Sequence, residues 1–339
     1  HFIIVVKDQD ISKINYEKIE NLISNSAVIW RDQIEKAIFK IFDEQVAIDH
    51  FNNFGDCFPV SYQEHFKISN AINDVSRIDK LLNSEIPNIS LSRIEKEDNL
   101  FSLKLYTIGS QVTLSNIMPT LNNFGLNVIS ENIYLIKPLN TDKDIWLNYF
   151  IVSIDLSNVE YNSVKKHFEC AVLDCWLNKY ENDHLNHLLL KASFNIKDIA
   201  LIRSLVKYTI QTNFSFSLDF IENTLVKYPE LTKDIKDLFY EKFDPSLKDR
   251  NPDKIKAQIA KSLQDISNIS HDLIFSKLLE IIDNMVRTNF FQSHKKHYIS
   301  FKLSSKNLTD ILLPKPFAEI FVYSSDTEGI HLRGGKVAR

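Results

Sequence analysis

The sequence predicts an α+β fold that is mostly helical. Apolar residues at helical spacing dominate residues 15–82 and 158–292, whereas residues 100–156 and the stretch after Phe291 alternate with period two. The apolar content is 44% and the charged content 25%, in a chain of 339 residues long enough for more than one domain.

Taken in order, Phe2-Ile-Ile-Val-Val6 is too short, and too soon followed by charge, to be a signal peptide. It reads as a strand of a preceding domain. From Asn15 to Leu82 the pattern is helical, most clearly over Ile29–Phe42. Gly55 and Pro59 mark a loop between Asn52 and Pro59. Asn83 to Asp98 is polar, contains Pro87, and reads as a link. Within 100–156, Ser102–Tyr106 alternates as a half-buried strand, and Thr113–Phe124 is a short helix stopped by Gly125. Pro119 is placed near the first turn of that helix, where a missing N–H costs least. Val128–Ile136 and Ile145–Ile154 supply β-branched and aromatic strands. This strand–helix–strand–strand order suggests a small ligand-binding or dimerising sandwich.

Residues 158–292 carry three apolar stripes at helical spacing: Val164, Phe168, Val172, Cys175 and Trp176; Ile199, Ile202, Val206 and Thr209; and a third running from Ile266 to Met285 through Leu273 and Leu278. Packing, not a cofactor site, is the reading of such stripes. Ser217 is placed to cap a helix. After Phe291, Ile299–Leu303 and Glu319–Tyr323 are strands of a new sheet, which must pack on the helices or on further chain to bury a face. The expected segments are 1–28, 29–98, 99–157, 158–295 and 296–339.

The chemistry is bounded mainly by what is missing. A net charge of −4 gives no electrostatic case for nucleic acid. No window of eighteen apolar residues suggests a membrane span. Cys57, Cys170 and Cys175 lack metal spacing and fit a reduced cytosolic protein, with Cys170 and Cys175 expected at the core. No Gly-x-Gly-x-x-Gly occurs, and Gly334-Gly-Lys-Val337 lacks the Ser or Thr of a phosphate loop. His184/His187 and His294/His297 are His-x-x-His pairs without a third ligand, so no metal is expected. No Ser-His-Asp or Cys-His set stands out, and Asp155, Asp174 and Glu181 read as solvated surface. The tail differs. Three of the six glycines lie in the last eleven residues, and Arg333, Lys336 and Arg339 recur at spacing three around Gly334-Gly335. Such cations suit carboxylate or phosphate recognition; a glycine-rich strand end with solvated cations is the equal alternative.

Phe317-Ala-Glu-Ile-Phe-Val-Tyr-Ser324 and Glu328-Gly-Ile-His-Leu-Arg-Gly-Gly-Lys-Val-Ala-Arg339 resemble the opening of the catalytic domain of the large bacterial NAD-specific glutamate dehydrogenases. Arg287–Gln292 and Tyr298–Leu303 resemble the approach to that domain. Asp198–Leu205, Phe214–Ser217 and Thr224–Pro229 resemble the family's helical region. Lys104-Leu-Tyr106, Leu114-Ser115, Met118-Pro119 and Phe124-Gly-Leu126 resemble its third ACT-like domain.

The resemblance implies an internal fragment of a long, cytoplasmic, homo-oligomeric enzyme. Residues 1–28 would end one ACT-like domain, 29–98 form a helical linker, 99–157 an ACT-like α/β domain, 158–295 helical motifs, and 296–339 the start of a truncated catalytic domain. The full enzyme would convert L-glutamate, NAD+ and water to 2-oxoglutarate, ammonia and NADH. It implies for Arg339 the place where smaller glutamate dehydrogenases hold a substrate carboxylate with lysine, a role arginine can fill bidentately; Lys336 and Arg333 are carried over beside it. No catalytic or NAD-binding residue is expected within these 339, so the fragment would be inactive alone, would bind no NAD, and would regulate and scaffold. An amino-acid effector at the ACT-like domain is expected. The alternative is a stand-alone amino-acid-sensing or protein-interaction module.

Overall fold

A computed structural model describes residues 29–94, 97, 99–156, 160–292 and 296–337. The strand expected at Phe2–Val6, and His294 and Arg339, lie outside the described residues. The chain divides into two compact units. One comprises the segment ending at Asn88 with Leu105–Gln111 and Asn132–Tyr149; the other holds Ile89–Lys104, Val112–Glu131 and everything from Phe150 on.

Among the described residues, four helices make most of the first unit: α1 (Trp30–Ile41), α2 (Glu44–Phe54), α3 (Val60–His65) and α4 (Ile68–Ser84). In α4 the buried residues Ala71, Ile72, Val75, Ile78 and Leu81 recur every three to four positions, forming one apolar face. Asp74 is buried on the same face, and its carboxylate accepts hydrogen bonds from Tyr62 (2.5 Å) and Tyr106 (2.7 Å). Two donors are what a buried carboxylate needs to be tolerated in an apolar surrounding.

The first sheet has the order β1-β2-β4-β3, from β1 (Asn88–Arg93), β2 (Leu100–Ile108), β3 (Asn127–Ile136) and β4 (Ile145–Ser153). The strand–helix–strand–strand order expected from sequence is present, and β1 lies within the segment read as a polar link. Between β2 and β3 runs α5 (Leu114–Asn123). Pro119 falls inside this helix, past its first turn, which corrects the expected position. The helix ends in a Schellman arrangement: Leu126 N–H donates to the Leu121 carbonyl (3.0 Å) and Gly125 N–H to the Asn122 carbonyl (2.8 Å). Gly125 takes φ +79°, a region that favours glycine.

In the second unit follow α6 (Tyr161–Trp176), a 3-10 turn (His184–His187), α7 (Leu188–Lys191), α8 (Ile196–Gln211), α9 (Leu218–Lys227), α10 (Pro229–Phe243), α11 (Pro252–Gln264) and α12 (Ile269–Asn284). Caps explain the starts. Asn195 and Asp198 form a reciprocal capping box on α8, and Ser217 Oγ accepts from Phe220 N–H at the start of α9. Helix α8 is the centre of this unit: Ile199, Leu201, Ile202, Leu205, Val206 and Tyr208 are all buried. Of the stripe expected from Ile266 to Met285, Leu278, Ile281 and Met285 are buried as expected, while Ile269 and Leu273 are exposed. Ile274 and Ile282 are buried too, and Met285 begins a strand. Cys175 is buried as expected, whereas Cys170 is exposed, because five residues of helix turn it away from the stripe that holds Cys175.

The second sheet is antiparallel, in order β5-β6-β7-β8: β5 (Met285–Thr288), β6 (Ile299–Ser304), β7 (Ala318–Tyr323) and β8 (Glu328–Arg333). It packs on the helices, one of the two outcomes expected. The Tyr208 ring of α8 meets Phe301 and Phe321 with centroids 5.9 and 5.5 Å away, edge-on.

Candidate functional site

At the N-terminal half of α8 the apolar pattern is interrupted by Arg203, whose side chain is only 3% exposed. A guanidinium removed from water must be paired. Here its Nε and Nη2 both donate to the Asp183 carboxylate, the latter at 2.8 Å, giving two-point recognition. Nη2 also donates to Asn186 Oδ1 (2.8 Å), and Nε stands 3.1 Å from Glu181 Oε2. Asp183 can reach it because its side chain caps the 3-10 turn, accepting from Leu185 N–H (3.1 Å). Burial opposes the charge on Arg203. The Asp183 carboxylate, helped by Glu181, overrides that and holds the guanidinium above its ordinary range.

Glu181 is the branching point of the cluster. It pairs with Lys207 Nζ at 3.5 Å, one helical turn from Arg203, and accepts a hydrogen bond from Tyr323 Oη at 3.1 Å. Tyr323 is the last residue of β7. Five residues further along α8 from Arg203, Tyr208 Oη donates to Glu319 Oε2 (2.7 Å), one residue from the start of β7. Helix and strand are thus joined by two polar links, each through a carboxylate, Glu181 and Glu319. Burial pushes the Tyr323 and Tyr208 hydroxyls above the ordinary phenol range. Both therefore act as donors across the accessible pH range.

Two titratable groups flank this cluster. Glu222 of α9 is buried, and its pKa is pushed up to about 7 by burial and by Asp183, against the pull of Arg203 and Lys207. His187 is pushed down to about 4 by burial, with Lys191 and His184 adding to it. Its ring lies directly against Gly125: a Cβ placed there would meet His187 Nε2 at 2.0 Å. His184 and His187 bound a short 3-10 turn. Among the described residues no group of three or more His, Cys, Asp or Glu is arranged for a metal.

The residues singled out from sequence lie elsewhere. Arg333 ends β8 and its Nη2 donates to the Lys336 carbonyl (3.2 Å), folding the tail back at Gly334-Gly335. Lys336 is exposed, and Arg339 is outside the described residues. So Arg333 and the Lys336 backbone come together, while the Lys336 ammonium points to solvent. The glycine fingerprint of a dinucleotide site has no counterpart among the described residues. Gly109 alone follows a strand that leads to a helix, and the pyrophosphate fingerprint needs three glycines there. Glu181 was read as solvated surface and is instead a network residue. The sequence signal for Arg203 is its place among Ile199, Ile202 and Val206, inside an apolar stripe.

Sequence comparison bears on what this helix–sheet junction is part of. Family models match in order along the chain: glutamate dehydrogenase helical motif 2 over residues 37–81, the ACT3 domain over 88–164, helical motif 3 over 180–245, and the bacterial NAD-glutamate dehydrogenase catalytic domain over 258–339. A NAD-specific glutamate dehydrogenase of Halomonas elongata is 33% identical over 341 residues, covering 98% of this chain. The chain belongs to the bacterial NAD-specific glutamate dehydrogenase family. Similar relatives of that name from Pseudomonas aeruginosa and Mycobacterium tuberculosis are 27% and 26% identical, covering 100% and 97% of the chain. The chain spans 21%, 22% and 21% of the length of these three curated glutamate dehydrogenases. Within the family's domain plan, Glu181, Asp183 and Arg203 fall in helical motif 3, and Glu319 and Tyr323 in the segment matched to the catalytic domain. No helix among the described residues is long and apolar enough to cross a membrane.

Proposed function

We propose that these residues are a regulatory and scaffolding part of an NAD-specific glutamate dehydrogenase, which converts L-glutamate, NAD+ and water to 2-oxoglutarate, ammonia and NADH. The observation that carries the reading is the pair of buried links from α8 to β7, Arg203–Glu181–Tyr323 and Tyr208–Glu319. They join the segment matched to a helical motif with the segment matched to the catalytic domain, so a displacement of one is felt by the other. In this reading the ACT-like unit binds an amino acid or assembles subunits of a cytoplasmic homo-oligomer, and the helices relay the change. Such a relay requires two states with different affinity for the effector.

The tail cations have the role of holding substrate carboxylates. Arg339 is proposed as the residue at the substrate strand, with Lys336 and Arg333 beside it. One donor of Arg333 is committed to the Lys336 carbonyl. NAD supplies the hydride acceptor in the full enzyme and is expected to bind outside these residues.

Tyr323→Phe tests the relay, because it removes one hydroxyl and leaves Glu181 paired to Arg203 and Lys207. In the full-length enzyme the variant is expected to change the glutamate saturation curve by at least about twofold in kcat/KM, a shift of a few tenths of a kcal/mol in transition-state stabilisation. The melting temperature of the 339-residue chain should move little. An unchanged saturation curve would remove the α8–β7 junction from function and leave it a packing feature.

A further inference from the structure

The second sheet separates charge across its two faces. On the face that meets the helices, Glu319 is bound by Tyr208 and Glu328 by Gln211 (2.7 Å). The strand register places Arg287 opposite Lys302, Lys302 opposite Ile320, and Ile320 opposite His331, while Ala318 stands opposite Arg333. These positions alternate with the helix-facing ones, so the other face carries Arg287, Lys302, His331 and Arg333 and no carboxylate from the strands.

Arg287 and Lys302 are direct cross-strand partners. Like charges in that arrangement destabilise a ladder, yet among the described residues neither makes an ion pair or a side-chain hydrogen bond. They border a concavity of ≈ 300 Å³ whose floor is Ile320 and whose rim includes Gln292, Tyr298 and Ser300. The side chains of these three likewise make no hydrogen bond among the described residues. The rim is held in place by other groups. Thr288 Oγ1 donates to the Ser300 carbonyl (2.9 Å), and Asn289 accepts from Ser300 N–H (2.7 Å) while donating to the Tyr298 carbonyl (3.1 Å). A fixed rim, two adjacent cations and uncommitted neutral donors form a receptor for negative charge.

We propose that this concavity binds a small dianion bearing carboxylate or phosphate oxygens, with Arg287 and Lys302 as its charge partners and Gln292, Tyr298 and Ser300 as neutral donors. Arg287 grips two oxygens with its planar fork, and Lys302 supplies a point charge on the adjacent strand. Binding relieves the repulsion between the two cations, so each adds more with the other present. The site is argued without the tail cations, and it stands or falls independently of the dehydrogenase reading because its readout is binding.

The test is calorimetric titration of the full 339-residue chain at low salt with inorganic phosphate and, separately, with glutarate. Saturable one-to-one binding of at least one probe is expected. Phosphate alone would assign the site to phosphate oxygens, glutarate alone to a dicarboxylate, and either supports the proposal. Arg287→Gln and Lys302→Met should each weaken binding roughly tenfold or more, as loss of one charged hydrogen bond implies. Arg287→Lys keeps the charge but loses the fork, and should weaken binding less; it serves if Arg287→Gln does not fold. Lys261→Met, an exposed lysine of α11, is the control for overall charge and should leave affinity unchanged. Absence of saturable binding of both probes overturns the proposal. So does a Lys261→Met effect equal to that of Lys302→Met, which would mean general screening.

Discussion

Gly125→Ala is the substitution whose effect the geometry fixes most tightly. Gly125 ends α5 at φ +79°, and a Cβ there would lie 2.0 Å from His187 Nε2 and 2.3 Å from its Cδ2. Two terms follow. An L-residue held in the left-handed region loses about 1–2 kcal/mol. Displacing a ring in a packed surrounding costs about 1–3 kcal/mol more, and burial of His187 leaves it little room to retreat. The sum is roughly 2–5 kcal/mol, to be read from the urea unfolding midpoint of the purified chain. The second arm is the double variant with His187→Ala. Removing the ring abolishes the steric term but not the backbone term. The two substitutions should therefore fall short of additivity by about 1–3 kcal/mol. A Gly125→Ala loss below about 0.5 kcal/mol, or strict additivity with His187→Ala, would refute the reasoning.

Arg203→Met leaves Asp183 and Glu181 facing each other without their cation, and a loss of about 3–5 kcal/mol is expected at pH 7. The loss is read from urea unfolding midpoints, and one under about 1 kcal/mol at pH 7 would show the network to be dispensable. Glu222, raised from 4.5 to about 7, binds its proton more tightly folded than unfolded, so its contribution is fully present below pH 4.5 and lost as pH rises to about 7. Glu222→Gln should match wild type near pH 4.5 and exceed it by at most about 3 kcal/mol at pH 8, measured as the difference between the two stability curves. That difference is needed because His187, lowered to about 4, shifts stability the opposite way between pH 4 and 6.5. A variant no more stable than wild type at pH 8 would show that Glu222 ionises there without cost.

What could be read from the sequence was whatever repeats locally. The caps at Ser217 and Gly125, the stripe Ile199–Ile202–Val206–Thr209, and the alternation of Ile299–Leu303 all depend on neighbours within a few residues, and the structure has them. Strands β1, β5 and β8 were not legible for a physical reason. Each is set by its pairing with the neighbouring strand, β1 with β2, β5 with β6 and β8 with β7, rather than by a pattern of its own. β5 follows α12 directly with no glycine or proline between, so Met285 read as one more helical residue. The network was hidden in the same way. Glu181 and Tyr323 are 142 residues apart, and nothing near either one announces the other. Arg203 was the accessible clue, since a cation on an apolar helical stripe requires a buried partner. The Arg287–Lys302 pairing was invisible until the register was known, because a bulge between Met285 and Arg287 sets which residue faces Lys302.

The bond from Tyr208 to Glu319 also governs which motions are open to β7. Glu319 is 3% exposed and lies between hydrophobic neighbours on the helix-facing side. Sliding the strand by one residue would turn this carboxylate to the opposite face and bring Ile320 beneath the tyrosine hydroxyl, leaving an acceptor stranded and a donor unanswered. The pair acts as an index mark that allows one alignment of strand against helix. A slide of β7 along α8 breaks this pair, whereas a movement that carries helix and strand together keeps it.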